Sequence, residues 1–226
     1  MVSRPREFDT NLYYHAYNRG VEKRAIFETE KDYQRFLDTL GYYLYDQKSS
    51  FAFFQRLTKE KKKAYFEANP RDLNTQRAHL IAYCLMPNHF HLLLKGARYD
   101  GITLFLADIS NSHTRYFNIK HERVGRLFQG PFKSKEISNE GSLLQVSRYI
   151  HLNPIPAGLV EKPEDYPYSS YKTWIGQEKA FLLSPGPISG WLKNFGGLKK
   201  YKKFVEAKIG ETVKDSKRGI ENLVLE

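Results

Sequence analysis

Short apolar runs alternate with longer helical stripes along this chain. Leu12 to Asn18 (LYYHAYN) is brief and aromatic, and Arg19-Gly20 follows, which predicts a strand and its stop. From Thr29 to about Gln47, apolar residues at Tyr33, Phe36, Leu37, Leu40, Tyr43 and Leu44 recur at helical spacing, with Thr29 as the expected N-cap. Lys48 to Arg77 breaks that order. Its KEKKK cluster and the pair Asn69-Pro70 interrupt any period, so the segment reads as an insertion with a short helix. Ala78 to Met86 and His89 to Gly96 are apolar runs on either side of Pro87-Asn88, which predicts adjacent antiparallel strands joined by a tight turn.

Ile102 to His121 carries apolar positions at Leu104, Phe105, Ile109, Tyr116, Phe117 and Ile119 and predicts a second helix. Pro131 to Ile137 (PFKSKEI) alternates after Gln129-Gly130 and predicts a strand; Ser142 to Asn153 predicts a third helix closed by Pro154. Strand, helix, two strands, helix, strand is the order of an α+β, ferredoxin-like βαββαβ antiparallel sheet, here with one helix added after it. Beyond lie a Pro- and Tyr-rich connection, EKPEDYPYSSY, and a basic tail with a helix expected near Ile188 to Ala207. The expected organisation is one main domain over 1–171, with the insertion at about 48–77, and a basic, partly helical extension over 172–226.

Composition narrows the partners. A hydrophobic fraction of 41% and an aromatic fraction of 15% exclude a disordered chain. Lys and Arg number 36 against 25 Asp and Glu, a net charge of +11, which points to a polyanion and first to nucleic acid; charge kept for solubility is the plainer alternative. The single cysteine, Cys84, rules out a disulfide framework or a cysteine-rich zinc site within one chain and fits a reducing compartment. MVSRPREFDT lacks the apolar core of a signal peptide, and no run approaches the roughly 18 apolar residues of a membrane span. A cytoplasmic protein without a membrane partner is therefore expected.

Candidate chemistry gathers at MPNHFHLLLK, Met86 to Lys95. Strand side chains alternate, so His89 and His91 project to one face about 7 Å apart while Phe90 turns to the other. Two ligands of one metal ion, or two polar positions on an exposed face, both suit that arrangement. In SRYIHLNP, Ser147 to Pro154, Tyr149 and Asn153 stand one helical turn apart on a shared face, with His151 turned away. Taken alone, Tyr149 reads equally as a core tyrosine and Asn153 as a helix C-terminal residue. Arg19, Lys133, Lys135 and Arg148 lie beside these blocks and are candidates for phosphate contacts or simply solvated charges. Phe132 and Tyr17 are candidates for base stacking or core packing, and His15, His79, His113, His121 and His151 read as structural or surface residues.

YHAYNRG, LMPNHFHLLLK, RLFQGPFKS, SRYIHLNP and PEDYPYSSY, in that order over roughly Leu12 to Tyr171, resemble the HUH-type single-tyrosine transposases, specifically the branch of REP-associated tyrosine transposases with an IS200-like domain. The resemblance implies that His89, His91 and Asn153 bind a divalent metal, Mg²⁺ or Mn²⁺, and that Tyr149 on the added helix is the nucleophile. It implies a metal-dependent single-stranded DNA endonuclease and strand transferase acting near hairpins through a 5′-phosphotyrosine. Single-stranded or hairpin DNA is then the partner, for a monomer or a homodimer. Two alternatives stand beside it: a noncatalytic hairpin-binding or regulatory protein derived from such a transposase, and, ranked last, a zinc hydrolase built on the histidine pair.

Overall fold

The structure, a computed structural model, describes residues 7–212. In chain order it contains β1 (Tyr13–Arg19), α1 (Glu30–Tyr43), α2 (Phe51–Gln55), α3 (Lys59–Ala68), β2 (Ala78–Met86), β3 (His89–Gly96), α4 (Gly101–Lys120), β4 (Lys133–Ile137), α5 (Glu140–Leu152), α6 (Tyr171–Trp174), α7 (Pro185–Phe195) and α8 (Leu198–Glu206). The four strands form one antiparallel sheet in the order β2-β3-β1-β4, the ferredoxin-like arrangement expected from the element order.

Register divides the sheet into two faces. Arg19 lies opposite His89 and Tyr17 opposite His91, while across the other edge of β1 Tyr17 faces Lys133 and His15 faces Lys135. Directly opposed residues share a face, so these side chains all project toward α5. Phe90, Leu92, Leu94 and Ala16 turn the other way and are fully buried beneath α1 and α4, where Phe36 meets Phe90 at 5.4 Å between ring centroids. The second face carries the histidines beside Cys84, Met86 and Leu93, which are buried as well.

The first turn of α1 is held as its sequence suggests. Thr29 N–H donates to the Asp32 carboxylate at 3.0 Å, and the Lys120 ammonium and Tyr116 hydroxyl reach the same carboxylate at 2.8 and 2.7 Å. Burial pushes the Asp32 carboxyl upward, but these donors outweigh it and hold the group well below the usual carboxylate range. The β2 edge is covered by the PYSSY segment: Leu85 N–H donates to Tyr168 O at 2.9 Å and Ser170 N–H to Tyr83 O at 3.0 Å. That cover blunts an otherwise open edge.

Two expectations are corrected. The segment 48–77 holds two helices, α2 and α3, rather than one, started by Ser50 and Thr58, whose hydroxyls accept from Phe53 N–H and Lys61 N–H. The tail does not run as one helix from Ile188 to Ala207. Gly196 and Gly197, at φ 102° and 88°, break it into α7 and α8, because that left-handed turn cannot continue a helix. Residues 213–226 of the expected basic extension lie outside the described residues.

Candidate active site

The β2-β3 turn sets the first donor. Asn88 Nδ2 donates to Lys23 O at 3.1 Å, which orients the amide so that its Oδ1 faces His89 Nδ1 at 2.6 Å. An amide oxygen only accepts, so His89 Nδ1 carries the proton and Nε2 keeps its lone pair. Asn153, the residue that ends α5, supplies a second donor. Its Nδ2 donates to Tyr149 O at 3.3 Å, which turns Oδ1 toward His89 Nε2, 3.4 Å away. Two acceptors then face one another.

His91 completes the set. It is fully buried, its Nδ1 lies 2.9 Å from His15 Nε2, and its Nε2 has no hydrogen-bond partner among the described residues. When His91 donates its Nδ1–H to His15 Nε2, its own Nε2 lone pair joins that of His89. Burial lowers the pKa of His89 to about 4, with help from the Arg19 charge, and lowers that of His91 well below its ordinary value, with His89, His15 and Arg19 adding to the effect. The Asn153 amide acts on both rings in the opposite sense, which marks it as a neighbour of each. At neutral pH both imidazoles are uncharged, the form that ligates. Two imidazole nitrogens and an amide oxygen with no proton between them fit a divalent cation. Among the described residues no group of three or more His, Cys, Asp or Glu is placed to hold a metal ion, and the Asn153 amide oxygen is the oxygen that faces the histidine pair.

The phenol stands over this set. Tyr149, half-buried one turn before Asn153, brings its ring to 5.4 Å from that of His91 and 5.9 Å from that of His15, both edge-on. His89, His91, Asn153 and Tyr149 thus meet within one chain. Arg19 lies across from His89, presses its charge on both rings, and makes no ion pair among the described residues. Lys133 and Lys135 are exposed on the edge strand of the same face. Arg148 is occupied elsewhere: its guanidinium covers the Phe204 ring at 4.1 Å and donates to Phe204 O at 3.4 Å, binding α5 to α8. Phe132 stacks on Phe8, while Tyr17 lies among the histidines, 5.2 Å from His15 and 6.0 Å from His91.

His15 is the site residue missed by the sequence reading. Its alternation with Tyr13 and Tyr17 was visible, but the register that sets it against His91, 76 positions away, was not. The other histidines are structural: His113 Nε2 meets Ile26 O at 2.7 Å, His79 contacts Ser184 at 3.2 Å, His121 lies 3.7 Å from Glu28, and His151 sits in a buried network on the far side of α5.

Comparison with known proteins agrees with this architecture. Residues 47–153 match the family model described as IS200-like transposase, a little under half of the chain. A relative from Haemophilus influenzae (strain ATCC 51907 / DSM 11121 / KW20 / Rd), described as "Putative REP-associated tyrosine transposase", is 29% identical over 101 residues. That match covers 40% of this chain and spans 57% of the relative's length, little more than half of it. Among solved structures, a REP-associated tyrosine transposase bound to a REP hairpin superposes with a TM-score of 0.52 at 14% identity, covering 78% of this chain and 86% of the other. At that identity the likeness is one of fold. No helix among the described residues is long and apolar enough to cross a membrane.

Proposed function

We propose that this protein cleaves and rejoins single-stranded DNA beside hairpins, with Tyr149 as nucleophile and a divalent cation, Mg²⁺ or Mn²⁺, held by His89, His91 and Asn153. The carrying observation is the meeting of four side chains in one chain: His89 Nε2 facing Asn153 Oδ1 at 3.4 Å, with the Tyr149 ring 5.4 Å from that of His91. The match to the IS200-like transposase model supports a DNA-cleaving class, and the hairpin held by the structural neighbour supports the substrate's shape.

In the proposed reaction the Tyr149 oxygen attacks the scissile phosphorus and loses its proton. A new oxygen–phosphorus bond forms as the bond to the 3′ oxygen breaks, and that oxygen leaves as a protonated 3′-hydroxyl. The strand end stays on the enzyme as a 5′-phosphotyrosine. Attack by a 3′-hydroxyl reverses the step, so rejoining needs no ATP. A bound cation would supply positive charge against the phosphate oxygens, undiminished because its three ligands are neutral. Arg19 would hold the phosphate beside His89, and Lys133 and Lys135 would guide the strand along the β4 edge. Asn88 and His15 would keep the two imidazoles in the ligating tautomer.

The test is incubation with a labelled hairpin-bearing single strand and Mn²⁺, followed by denaturing electrophoresis. A covalent protein–DNA band is expected from the native chain and none from Tyr149→Phe. An adduct in the variant would remove Tyr149 from the role, and tight binding with no adduct in the native chain would favour the noncatalytic hairpin-binding reading.

A further inference from the structure

The face of the sheet opposite the histidines is also charged. Between α1, α2 and α4 lies an open cleft of about 940 Å³, bordered by Lys31, Arg35, Arg56, Arg115 and Lys120 against the two carboxylates of Asp38 and Asp108. Asp108 is taken by Arg77 at 2.6 Å, and Lys120 by Asp32 at 2.8 Å. Lys31, Arg56 and Arg115 are exposed and make no ion pair among the described residues. Arg35 is unusual in another way. It is 8% exposed, its Nη1 has no hydrogen-bond partner among the described residues, and it is held between the rings of Tyr116 and Phe51 at 4.3 and 5.2 Å. Asp38 and Asp32 lie near enough to act on its charge, but it makes no ion pair among the described residues, and its field adds to that of the exposed cations.

Two further observations define the ligand. Phe53, on the cleft wall one turn from Arg56, is 55% exposed, an aromatic face offered to solvent beside unpaired cations. Asn111 of α4 borders both this cleft and a smaller one of about 420 Å³ that contains Arg126 and Phe132, and Phe132 directly precedes Lys133 on β4. A positive, partly aromatic path therefore runs from the edge of the histidine face around α4. Unpaired bases with regularly spaced phosphates match it: guanidinium and ammonium groups take the backbone, and an exposed ring takes a base.

We propose that the α1/α2/α4 cleft is a second binding site for single-stranded nucleic acid, engaging a segment distinct from the one at the histidines. Its test reads binding rather than cleavage, so the outcome does not depend on the role of Tyr149. The full chain is titrated into a fluorescein-labelled 20-mer of thymidine, and anisotropy is followed from 50 to 300 mM NaCl. Arg56→Glu/Arg115→Glu is expected to weaken binding at least tenfold at 100 mM salt, and to flatten the log affinity against log salt slope by about 1.4, two lost phosphate contacts at roughly 0.7 each. Phe53→Ala, which keeps every charge, is expected to weaken binding about tenfold while leaving that slope unchanged. Affinity and slope within error of the native chain for both variants would overturn the site. Loss of binding to a labelled duplex but not to the thymidine strand would overturn the single-stranded ligand.

Discussion

Removing one hydroxyl, by Tyr201→Phe, should loosen the helix that carries Tyr149. A single run of hydrogen bonds crosses this buried region: Tyr83 N–H donates to Ser170 Oγ at 2.9 Å, Ser170 Oγ–H to His151 Nε2 at 2.9 Å, and His151 Nδ1–H to the Tyr201 oxygen at 2.8 Å. The run continues from the Tyr201 hydroxyl to Ser147 Oγ at 3.0 Å and from Ser147 to Leu144 O at 2.8 Å. Ser147 and His151 flank Tyr149 on α5, and both are fully buried. In the variant, His151 Nδ1–H loses its acceptor, and an orphaned buried donor costs about 1–3 kcal/mol. Relief is available through a change of tautomer: His151 Nε2–H can donate to Ser170, whose hydroxyl turns to Tyr83 O at 3.2 Å. An unpaired acceptor then remains, which places the expected loss at about 1–2 kcal/mol. Urea unfolding read by tryptophan fluorescence measures it. The same variant made in Ser170→Ala, where that relief is closed, should cost at least about 0.5 kcal/mol more. A loss below about 0.3 kcal/mol in both backgrounds would refute the network.

Acid should destabilise the fold well above the carboxylate range. Burial lowers His113 to about 4 and His151 to about 3, so between those values and the ordinary 6.5 the unfolded chain binds protons that the folded chain refuses. Stability is then whole above pH 6.5 and falls as pH drops toward 4, by about 2 kcal/mol for each of these two residues at pH 5; urea midpoints unchanged between pH 7.5 and 5.0 would contradict this. His15→Phe, which removes the acceptor for His91 Nδ1–H, should weaken Mn²⁺ binding by roughly 10- to 100-fold in calorimetry, and an affinity within twofold of native would dismiss His15 as a positioning residue. Arg19→Ala should weaken binding of all single strands alike and lower the salt slope by about 0.7; a sequence-selective loss would point to base contact instead.

Local periodicity made much of this legible. The period of two in β3 put His89 and His91 on one face, and the spacing of four in α5 put Tyr149 and Asn153 on another, both as found. What joined those faces was not local. His15 reaches His91 only through strand pairing, and Arg148, in sequence a loose cation beside the site, is claimed by Phe204 from a helix 56 residues away. The caps at Ser50 and Thr58 were present in the sequence of the supposed insertion, but without an apolar period behind them they did not register as helix starts. Gly196-Gly197 was likewise a readable stop, overshadowed by apolar residues on both sides.

In the proposed site two imidazoles and one amide converge on a common cation. Pulsed EPR of bound Mn²⁺ addresses it most directly, since imidazole nitrogens directly bound to the metal imprint their own modulation on the echo. Modulation from two imidazoles is expected in the native chain, from one in His89→Ala, and from two with weakened affinity in Asn153→Ala. Bound Mn²⁺ without any imidazole modulation, or modulation untouched by the loss of His89, would contradict it.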